Sequence, residues 1–273
     1  MKRFTVKSLV FGLIVGVSVT AAAREIGTSK PERQGYSSER LEKITAFMDA
    51  KVADGTMVGG MGVIARNGKI IYQRTYGQAD REAGRPMEAD AIYRIYSMSK
   101  PITGVALMML YEDGKFRLND PIAMYMPEFA KLQVATSTAG TNIVSDGTTS
   151  RTVGSGDQSL VGEWRAPTRQ PTVRDLLRHT AGMTYGVFGN TEVDQLYREA
   201  GLLGDMSLAE FTKALGQLPL QYDPGSQWHY SVSVDVQGRL IEVLSGMSFG
   251  EFLKQRIFDP LDMRDTDFQV NEG

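Results

Sequence analysis

The sequence contains no cysteine and only two histidines, His179 and His229, among its 273 residues. The absence of cysteine excludes disulfide scaffolds, thiol nucleophiles and cysteine-bound zinc or iron–sulfur sites. The two histidines form no H-x-x-x-H pattern, so a zinc site would depend on carboxylate ligands. The sequence also lacks a P-loop and a dinucleotide-binding fingerprint. We therefore expect neither a metal ion nor another cofactor.

The charge is nearly balanced, with 30 Lys and Arg against 32 Asp and Glu and a formal net charge of −2. Proteins that bind nucleic acid carry a basic stripe or patch for the phosphate backbone. The sequence therefore predicts no nucleic-acid partner. With 42% hydrophobic and 23% charged residues, the composition is typical of a packed globular protein.

The first 23 residues have the pattern of a secretory signal peptide. Three basic residues precede the apolar run Leu9–Val19, and the small residues Ala21–Ala23 follow it. The apolar run is well short of the about 20 residues that span a bilayer. We therefore predict cleavage after residue 23, a periplasmic or secreted protein and no stable membrane span after cleavage. Residues 24–273 are then expected to form the folded domain.

The folded part opens with signals for a helix followed by two strands. Residues 37–55 combine a serine cap with amphipathic spacing, which predicts a helix. Val58–Ala65 and Lys69–Tyr76 are apolar or β-branched runs joined by Asn67 and Gly68. An Asn-Gly pair between two such runs predicts a β-hairpin.

A strongly apolar stretch from Ala91 to Gly114 predicts a buried helix. Residues 133–170 are rich in Ser, Thr and Gly without a hydrophobic period, which predicts a flexible surface insertion in the domain. Beyond it, helical spacing recurs in four stretches: Thr172–His179, Leu208–Leu215, Val236–Leu244 and Phe249–Phe258.

Two serine-hydrolase signatures are present. Gly246–Gly250 matches G-x-S-x-G around Ser248, but that motif needs a preceding strand and a later histidine. No histidine follows Ser248, and the preceding residues have helical spacing. We interpret this match as a turn between two helices.

The second signature is S-x-x-K, formed by Ser97 and Lys100 in the apolar stretch. Residues three apart on a helix face one another, so the lysine amine can reach the serine hydroxyl. The N-terminus of a helix also directs N–H groups towards an oxyanion that forms there. Pro101 is compatible with the first turn of a helix.

Three segments resemble the serine β-lactamase-like superfamily, in particular class C β-lactamases, family VIII carboxylesterases and related D-alanyl-D-alanine carboxypeptidases. They are Tyr93–Ile102, Thr172–Met183 and Pro224–Ser231, and they occur in the family's order. The resemblance extends from Pro31 to Phe268. It implies an α/β protein with a three-layer α/β/α, β-lactamase/DD-peptidase-like fold and an inserted helical region.

The resemblance also implies roles for three residues. Ser97 corresponds to the acyl-accepting nucleophile, Lys100 to its partner on the helix and Tyr230 to the tyrosine of the family's Y-x-N motif. Either a Tyr230 phenolate stabilised by Lys100 or a neutral Lys100 can take the serine proton. The two histidines are expected to be structural, His179 bonded within its own loop and His229 a neighbour of the site.

The sequence departs from the family pattern at two places. Val232 replaces the asparagine of Y-x-N, whose amide would bond a β-lactam or a peptide amide, and this change favours ester substrates. The family's third motif, on a strand that lines the site, is not found before Gly273. We therefore expect the sequence to be truncated at the C-terminus, to lack the C-terminal strands of the sheet and to be inactive alone.

The resulting hypothesis is a serine hydrolase that forms an acyl-enzyme on Ser97, a carboxylesterase acting on short-chain esters. A β-lactamase or a D-alanyl-D-alanine carboxypeptidase, with a β-lactam or peptidoglycan-like substrate, is the alternative. A non-catalytic scaffold that binds penicillin or cell wall is an alternative of another class. The sequence predicts no particular oligomeric state.

Overall fold

The computed structural model describes residues 26–136, 142–145, 150–153 and 164–269. These residues form two compact units, one of residues 26–89 with Pro260–Asp262 and the other of the remaining described residues. The predicted signal peptide lies outside the described residues, as do several parts of the predicted insertion.

The first unit contains a helix and an antiparallel sheet with strand order β1-β2-β3. Its elements are α1 (Ser38–Ala53), β1 (Gly59–Arg66), β2 (Lys69–Asp80) and β3 (Arg85–Pro86). The Ser37 hydroxyl accepts a hydrogen bond from the Arg40 N–H and caps α1. Helix α1 packs on β2 and buries Leu41 beside Thr45, while β2 buries Ile71.

The predicted β-hairpin is confirmed. Asn67 and Gly68 both adopt positive φ, at 50° and 67°, between the paired residues Arg66 and Lys69. A two-residue turn with both central residues at positive φ matches the twist of the flanking strands. Asparagine and glycine are the residues that adopt this conformation most readily, which explains why the sequence signal was reliable.

The second unit is mainly helical. Its helices are α2 (Ser99–Glu112), α3 (Val173–Arg178), α4 (Glu192–Glu199), α5 (Leu208–Leu215), α6 (Ser233–Ser245) and α7 (Phe249–Leu253), with a π-helical turn at Lys254–Phe258. Its strands are β4 (Val134–Ala135), β5 (Asn142–Ser145), β6 (Ser150–Val153) and β7 (Trp164–Arg165). Strand β4 pairs with β7, and β5 pairs with β6.

The core of this unit lies between α2 and α6. Leu107 and Leu110 of α2, together with Val236 and Leu240 of α6, are almost completely buried. Each such side chain contributes about 1.5–3 kcal/mol through burial. Packing between these helices therefore fixes the position of the N-terminal turn of α2.

The predicted start of the buried helix at Ala91 is wrong, because α2 begins at Ser99. Tyr96 has φ of 45°, and a left-handed residue interrupts a right-handed helix. The apolar residues Ile92, Tyr93 and Ile95 are exposed and lie outside any helix. The hydrophobicity of these residues therefore wrongly predicted a helix at this position.

The four helical stretches predicted after residue 170 are confirmed within three residues at their ends, when the π-helical turn Lys254–Phe258 is counted with α7. Helix α4 was missed, because its sequence is short and mostly polar. A capping box formed by Thr191 and Asp194 marks its start and could have revealed it.

The described residues at the two ends of the predicted surface insertion are held together by strand pairing. Val134 and Ala135 are buried, and they pair with Arg165 and Trp164. The backbone of Asn142–Ser145 pairs with that of Ser150–Val153 as a second small antiparallel pair. In the described part of the chain, no helix combines the length and the apolar character needed to cross a membrane.

Candidate active site

Ser97 lies in a short 3₁₀ turn, Tyr96–Met98, that leads directly into α2. Its predecessor Tyr96 holds the left-handed conformation, which is costly for a residue with a Cβ atom. The turn leaves Ser97 exposed at the end of the helix. Backbone strain of this kind often occurs beside functional groups, and here it sets the direction of the serine.

The structure brings the three predicted site residues together. The Ser97 Oγ lies 2.7 Å from the Tyr230 Oη, and the Lys100 Nζ donates a hydrogen bond to the Ser97 Oγ at 3.1 Å. Lys100 lies one turn from Ser97, as the S-x-x-K spacing predicted. Tyr230 comes from a distant part of the chain. The Ser97 hydroxyl therefore contacts both a candidate base, the Tyr230 hydroxyl, and the ammonium group of Lys100.

The loop after α3 positions Tyr230. His179 ends α3 in the left-handed conformation, and its carbonyl accepts a hydrogen bond from the His229 N–H at 2.8 Å. Its Nδ1 accepts a hydrogen bond from the Ser231 N–H at 3.3 Å. Because both neighbours of Tyr230 are bonded to His179, the tyrosine backbone is held beside the end of α3.

The electrostatics of the site lower the pKa of Tyr230. Burial raises its pKa, but hydrogen bonds from Lys100 and Ser97 and the charge of Lys100 outweigh burial, so the pKa lies below the usual value. For Lys100, burial lowers the pKa, but its interactions with Tyr230 and Tyr185 raise it overall. The two shifts are consistent, because each charged form stabilises the other.

Tyr185 is a site residue that the sequence analysis missed. The Lys100 Nζ lies 5.7 Å from the centre of the Tyr185 ring and 4.7 Å from that of Tyr230, within cation–π range of both. Burial raises the pKa of Tyr185, helped by the negative charge of Asp235. The two tyrosines therefore differ: Tyr185 is held protonated, whereas Tyr230 is shifted towards the phenolate. The only sequence signal for Tyr185 was its position just after the segment Thr172–Met183.

The predicted location of the two histidines needs correction. The His179 ring lies 5.1 Å from the Tyr230 ring, so His179 is the neighbour of the site. The His229 ring instead contacts Tyr222, and its Nε2 lies 3.4 Å from the Thr184 Oγ1. Burial lowers the pKa of both histidines, and both are held neutral. The His229 ring therefore faces Tyr222 and Thr184 rather than Tyr230.

Val232 does not line the open site. Its side chain is completely buried in the core of the second unit, at the N-cap position of α6. The family motif placed position 232 beside a substrate amide, but in this structure the buried Val232 side chain does not reach the open site.

Ser248 has a structural role, as the sequence predicted. It is the N-cap of α7, where its hydroxyl donates to Glu251 at 2.7 Å and accepts a hydrogen bond from the Glu251 N–H. This is a capping box in a turn between α6 and α7.

A cavity of about 460 Å³ opens beside Lys100. Its lining includes the polar residues Lys100, Tyr185 and Asp235 and the apolar residues Leu208 and Phe249. Its size is within the range of small-molecule sites. Within the described residues, no three His, Asp or Glu side chains lie close enough together to hold a metal ion.

Comparison with known proteins identifies the family. The model of the β-lactamase family matches residues 44–273. The chain belongs to this family. The matched range contains Ser97, Lys100 and Tyr230, and β-lactamase-family proteins similar to this chain include serine hydrolases.

Curated relatives include enzymes with two different activities in their names. Esterase EstB of Burkholderia gladioli is 31% identical over 229 residues, which cover 83% of this chain and 51% of that protein. A protein of Escherichia coli K12, named "Putative D-alanyl-D-alanine carboxypeptidase", is 26% identical over 94% of this chain and 54% of its own length. This β-lactamase-family chain thus spans about half the length of these relatives.

Solved structures confirm the predicted α/β fold class of β-lactamases and DD-peptidases. The structure of EstCE1, a hydrolase with promiscuous acyltransferase activity, is similar with a TM-score of 0.67 and 26% identity. The match covers 85% of this chain and 54% of that one. A D-amino acid amidase from Ochrobactrum anthropi shares the fold with a TM-score of 0.57.

Proposed function

We propose that Ser97 is the nucleophile of an ester hydrolase, with Tyr230 as its general base and Lys100 as a permanent cation. The observation that carries this proposal is the pair of contacts from the Ser97 Oγ, 2.7 Å to the Tyr230 Oη and 3.1 Å to the Lys100 Nζ. Distances in this range permit direct proton transfer between a nucleophile and its base.

The directions of the pKa shifts favour Tyr230 over Lys100 as the base. A raised pKa keeps Lys100 protonated, so it cannot accept the serine proton. A lowered pKa makes the Tyr230 phenolate more accessible near neutral pH. Tyr230 is therefore the base in this proposal, and Lys100 stabilises its ionised form.

The reaction then proceeds in two halves. In the first, the Ser97 Oγ bonds to the ester carbonyl carbon, its proton passes to Tyr230, and the carbon–oxygen bond to the alcohol breaks. The leaving alkoxide takes the proton from Tyr230. In the second half, water gives a proton to Tyr230 and attacks the acyl carbon, and the departing Ser97 Oγ takes that proton back.

Short-chain carboxylic esters are the proposed substrates. The similarity to esterase EstB and to the hydrolase EstCE1 supports this choice. Activity on D-alanyl peptides or β-lactams is the second candidate, supported by the similarity to the Escherichia coli protein. Esters, D-alanyl peptides and β-lactams would each form an acyl-enzyme on Ser97.

The test compares hydrolysis of p-nitrophenyl butyrate, nitrocefin and a D-alanyl-D-alanine peptide. Because the chain spans about half the length of its relatives, the assay is run on the chain and on a form extended along its reading frame. Ester hydrolysis that disappears in Ser97→Ala and persists in Ser248→Ala is the expected result. Hydrolysis that survives Ser97→Ala, or binding of penicillin without any turnover, would contradict the proposal.

Export completes the proposal. The apolar run of residues 1–23 is proposed to direct the protein to the periplasm or the medium and to be removed there. Fusing these residues to alkaline phosphatase, which is active only after export, tests it. A fusion that stays inactive and uncleaved in the cytoplasm would refute export.

A further inference from the structure

Two largely exposed aromatic rings, those of Trp228 and Phe188, lie beside Tyr230. Trp228 is 65% exposed and Phe188 is 51% exposed. The Trp228 ring is stacked with the Tyr230 ring at 6.2 Å between centroids, and the Phe188 ring lies 5.9 Å from it. Because the Tyr230 Oη is 2.7 Å from the Ser97 Oγ, both rings lie one side chain away from the nucleophile.

Each of these two exposed rings also packs against a second ring. Trp228 meets His179 edge-on at 6.2 Å, and Phe188 meets Tyr185 in a T-shaped contact at 5.6 Å. Tyr185 in turn lies 5.2 Å from Tyr230. These supports hold the outer rings in place at little further entropic cost, so their exposed faces are ready to bind another ring.

We infer that Trp228 and Phe188 form the acyl-group subsite and that, among short carboxylic esters, they favour those whose acyl group carries an aromatic ring. This inference rests on the proposed acyl transfer to Ser97 and adds the substrate class. An acyl group attached to the Ser97 Oγ starts next to Tyr230, and an aryl group one or two carbons away reaches the rings that flank it. Tyr230 accepts the serine proton, whereas Trp228 and Phe188 determine which acyl groups bind.

Two sulfonyl fluorides provide a matched pair of probes for this subsite. Phenylmethanesulfonyl fluoride and methanesulfonyl fluoride both react with an activated serine: the Oγ–S bond forms, the S–F bond breaks, fluoride leaves and Tyr230 takes the serine proton. The reagents differ by one phenyl ring. The second-order rate of adduct formation on Ser97 is measured by intact mass, on the chain and on its extended form.

We expect Trp228→Ala and Phe188→Ala each to lower the ratio of the phenyl rate to the methyl rate by about three- to tenfold, as expected for one lost aromatic contact. The methyl rate should fall by less than the phenyl rate. Tyr111→Ala is the matched control, because Tyr111 is 40% exposed and lies at the opposite end of α2 from Ser97. It should leave the ratio unchanged, and thermal melts check that all variants fold.

Three other outcomes would each contradict either the acyl subsite or the assignment of Ser97 as the nucleophile. If the methyl reagent modifies wild-type Ser97 but neither variant alters the ratio, the acyl subsite is refuted and the nucleophile stands. If both rates fall together in a folded variant, the rings only support Tyr230, and the subsite is again refuted. If neither reagent modifies Ser97 in either form, the nucleophile assignment and the inference that rests on it both fail.

Discussion

The Tyr230 hydroxyl lies 2.7 Å from the Ser97 hydroxyl, although the two residues are 133 positions apart in the sequence. Two local features meet at this contact, the strained turn before α2 and the loop held by His179. The charge of Lys100 completes it, because it stabilises the phenolate form of Tyr230.

Replacing Tyr230 with phenylalanine should lower kcat for p-nitrophenyl butyrate by about 10²–10⁴-fold with little change in KM. The variant keeps the ring and its packing but loses the group that takes the serine proton. Tyr185→Phe is the control, because burial keeps the pKa of Tyr185 high and the residue protonated. Steady-state kinetics of both variants decide the matter, and an equal or larger loss in Tyr185→Phe would move the base to that tyrosine.

Replacing Lys100 with methionine should move the rising limb of the pH–rate profile to higher pH by about one unit or more. Tyr230 works in its ionised form, and Lys100 lowers the pKa of that tyrosine. Removing the positive charge therefore raises the pH at which the phenolate forms. Lys100→Arg keeps the charge and should shift the limb less. A limb that stays at the wild-type pH in Lys100→Met would show that Tyr230 does not depend on the lysine charge.

Replacing Val232 with asparagine should destabilise the protein by about 1–3 kcal/mol and leave substrate preference unchanged. The valine is completely buried, so the amide would lose hydrogen bonds to water without facing a substrate. Urea unfolding and the ratio of nitrocefin to p-nitrophenyl butyrate turnover are measured together. Val187→Asn is the control, because Val187 is 50% exposed. A stable variant with a raised nitrocefin ratio would restore the role predicted from the family motif.

Local chemistry explains which parts of the fold could be predicted from the sequence. The hairpin depends on positive φ at Asn67 and Gly68, and the end of α6 on positive φ at Gly246, where few residue types are suitable. The start of α2 depends on Tyr96, whose left-handed conformation no local pattern indicates. Because this residue interrupts the helix, the apolar residues before it were mistaken for the beginning of α2.

The same distinction applies to the candidate site. The pair of Ser97 and Lys100 could be predicted because helical geometry relates residues three apart. Tyr230 came from the resemblance to the family, because its contact with Ser97 depends on how loops meet rather than on spacing. Tyr185 and the ring of His179 were missed for that reason.

Asp175 is a buried carboxylate whose ionisation should make the stability of the protein depend on pH. Burial raises the pKa of this carboxylate, but hydrogen bonds from Arg169, Thr172 and Thr180 lower it overall to about 2. The side chain is only 5% exposed. A pKa depressed on folding contributes stability above the unfolded value of about 3.9, and this contribution disappears as the pH falls towards 2.

Asp175→Asn should therefore lower the free energy of unfolding by about 2 kcal/mol at pH 7, and the difference from wild type should shrink between pH 4 and about 2. Asp223→Asn is the control. Asp223 also has a pKa of about 2, because of Arg165 first, but this pair is more exposed and screened by solvent, so a smaller loss is expected. Urea unfolding of both variants across this pH range measures the difference. Equal losses, or a loss in Asp175→Asn that is independent of pH, would show that the ionised carboxylate is not the source of the stability.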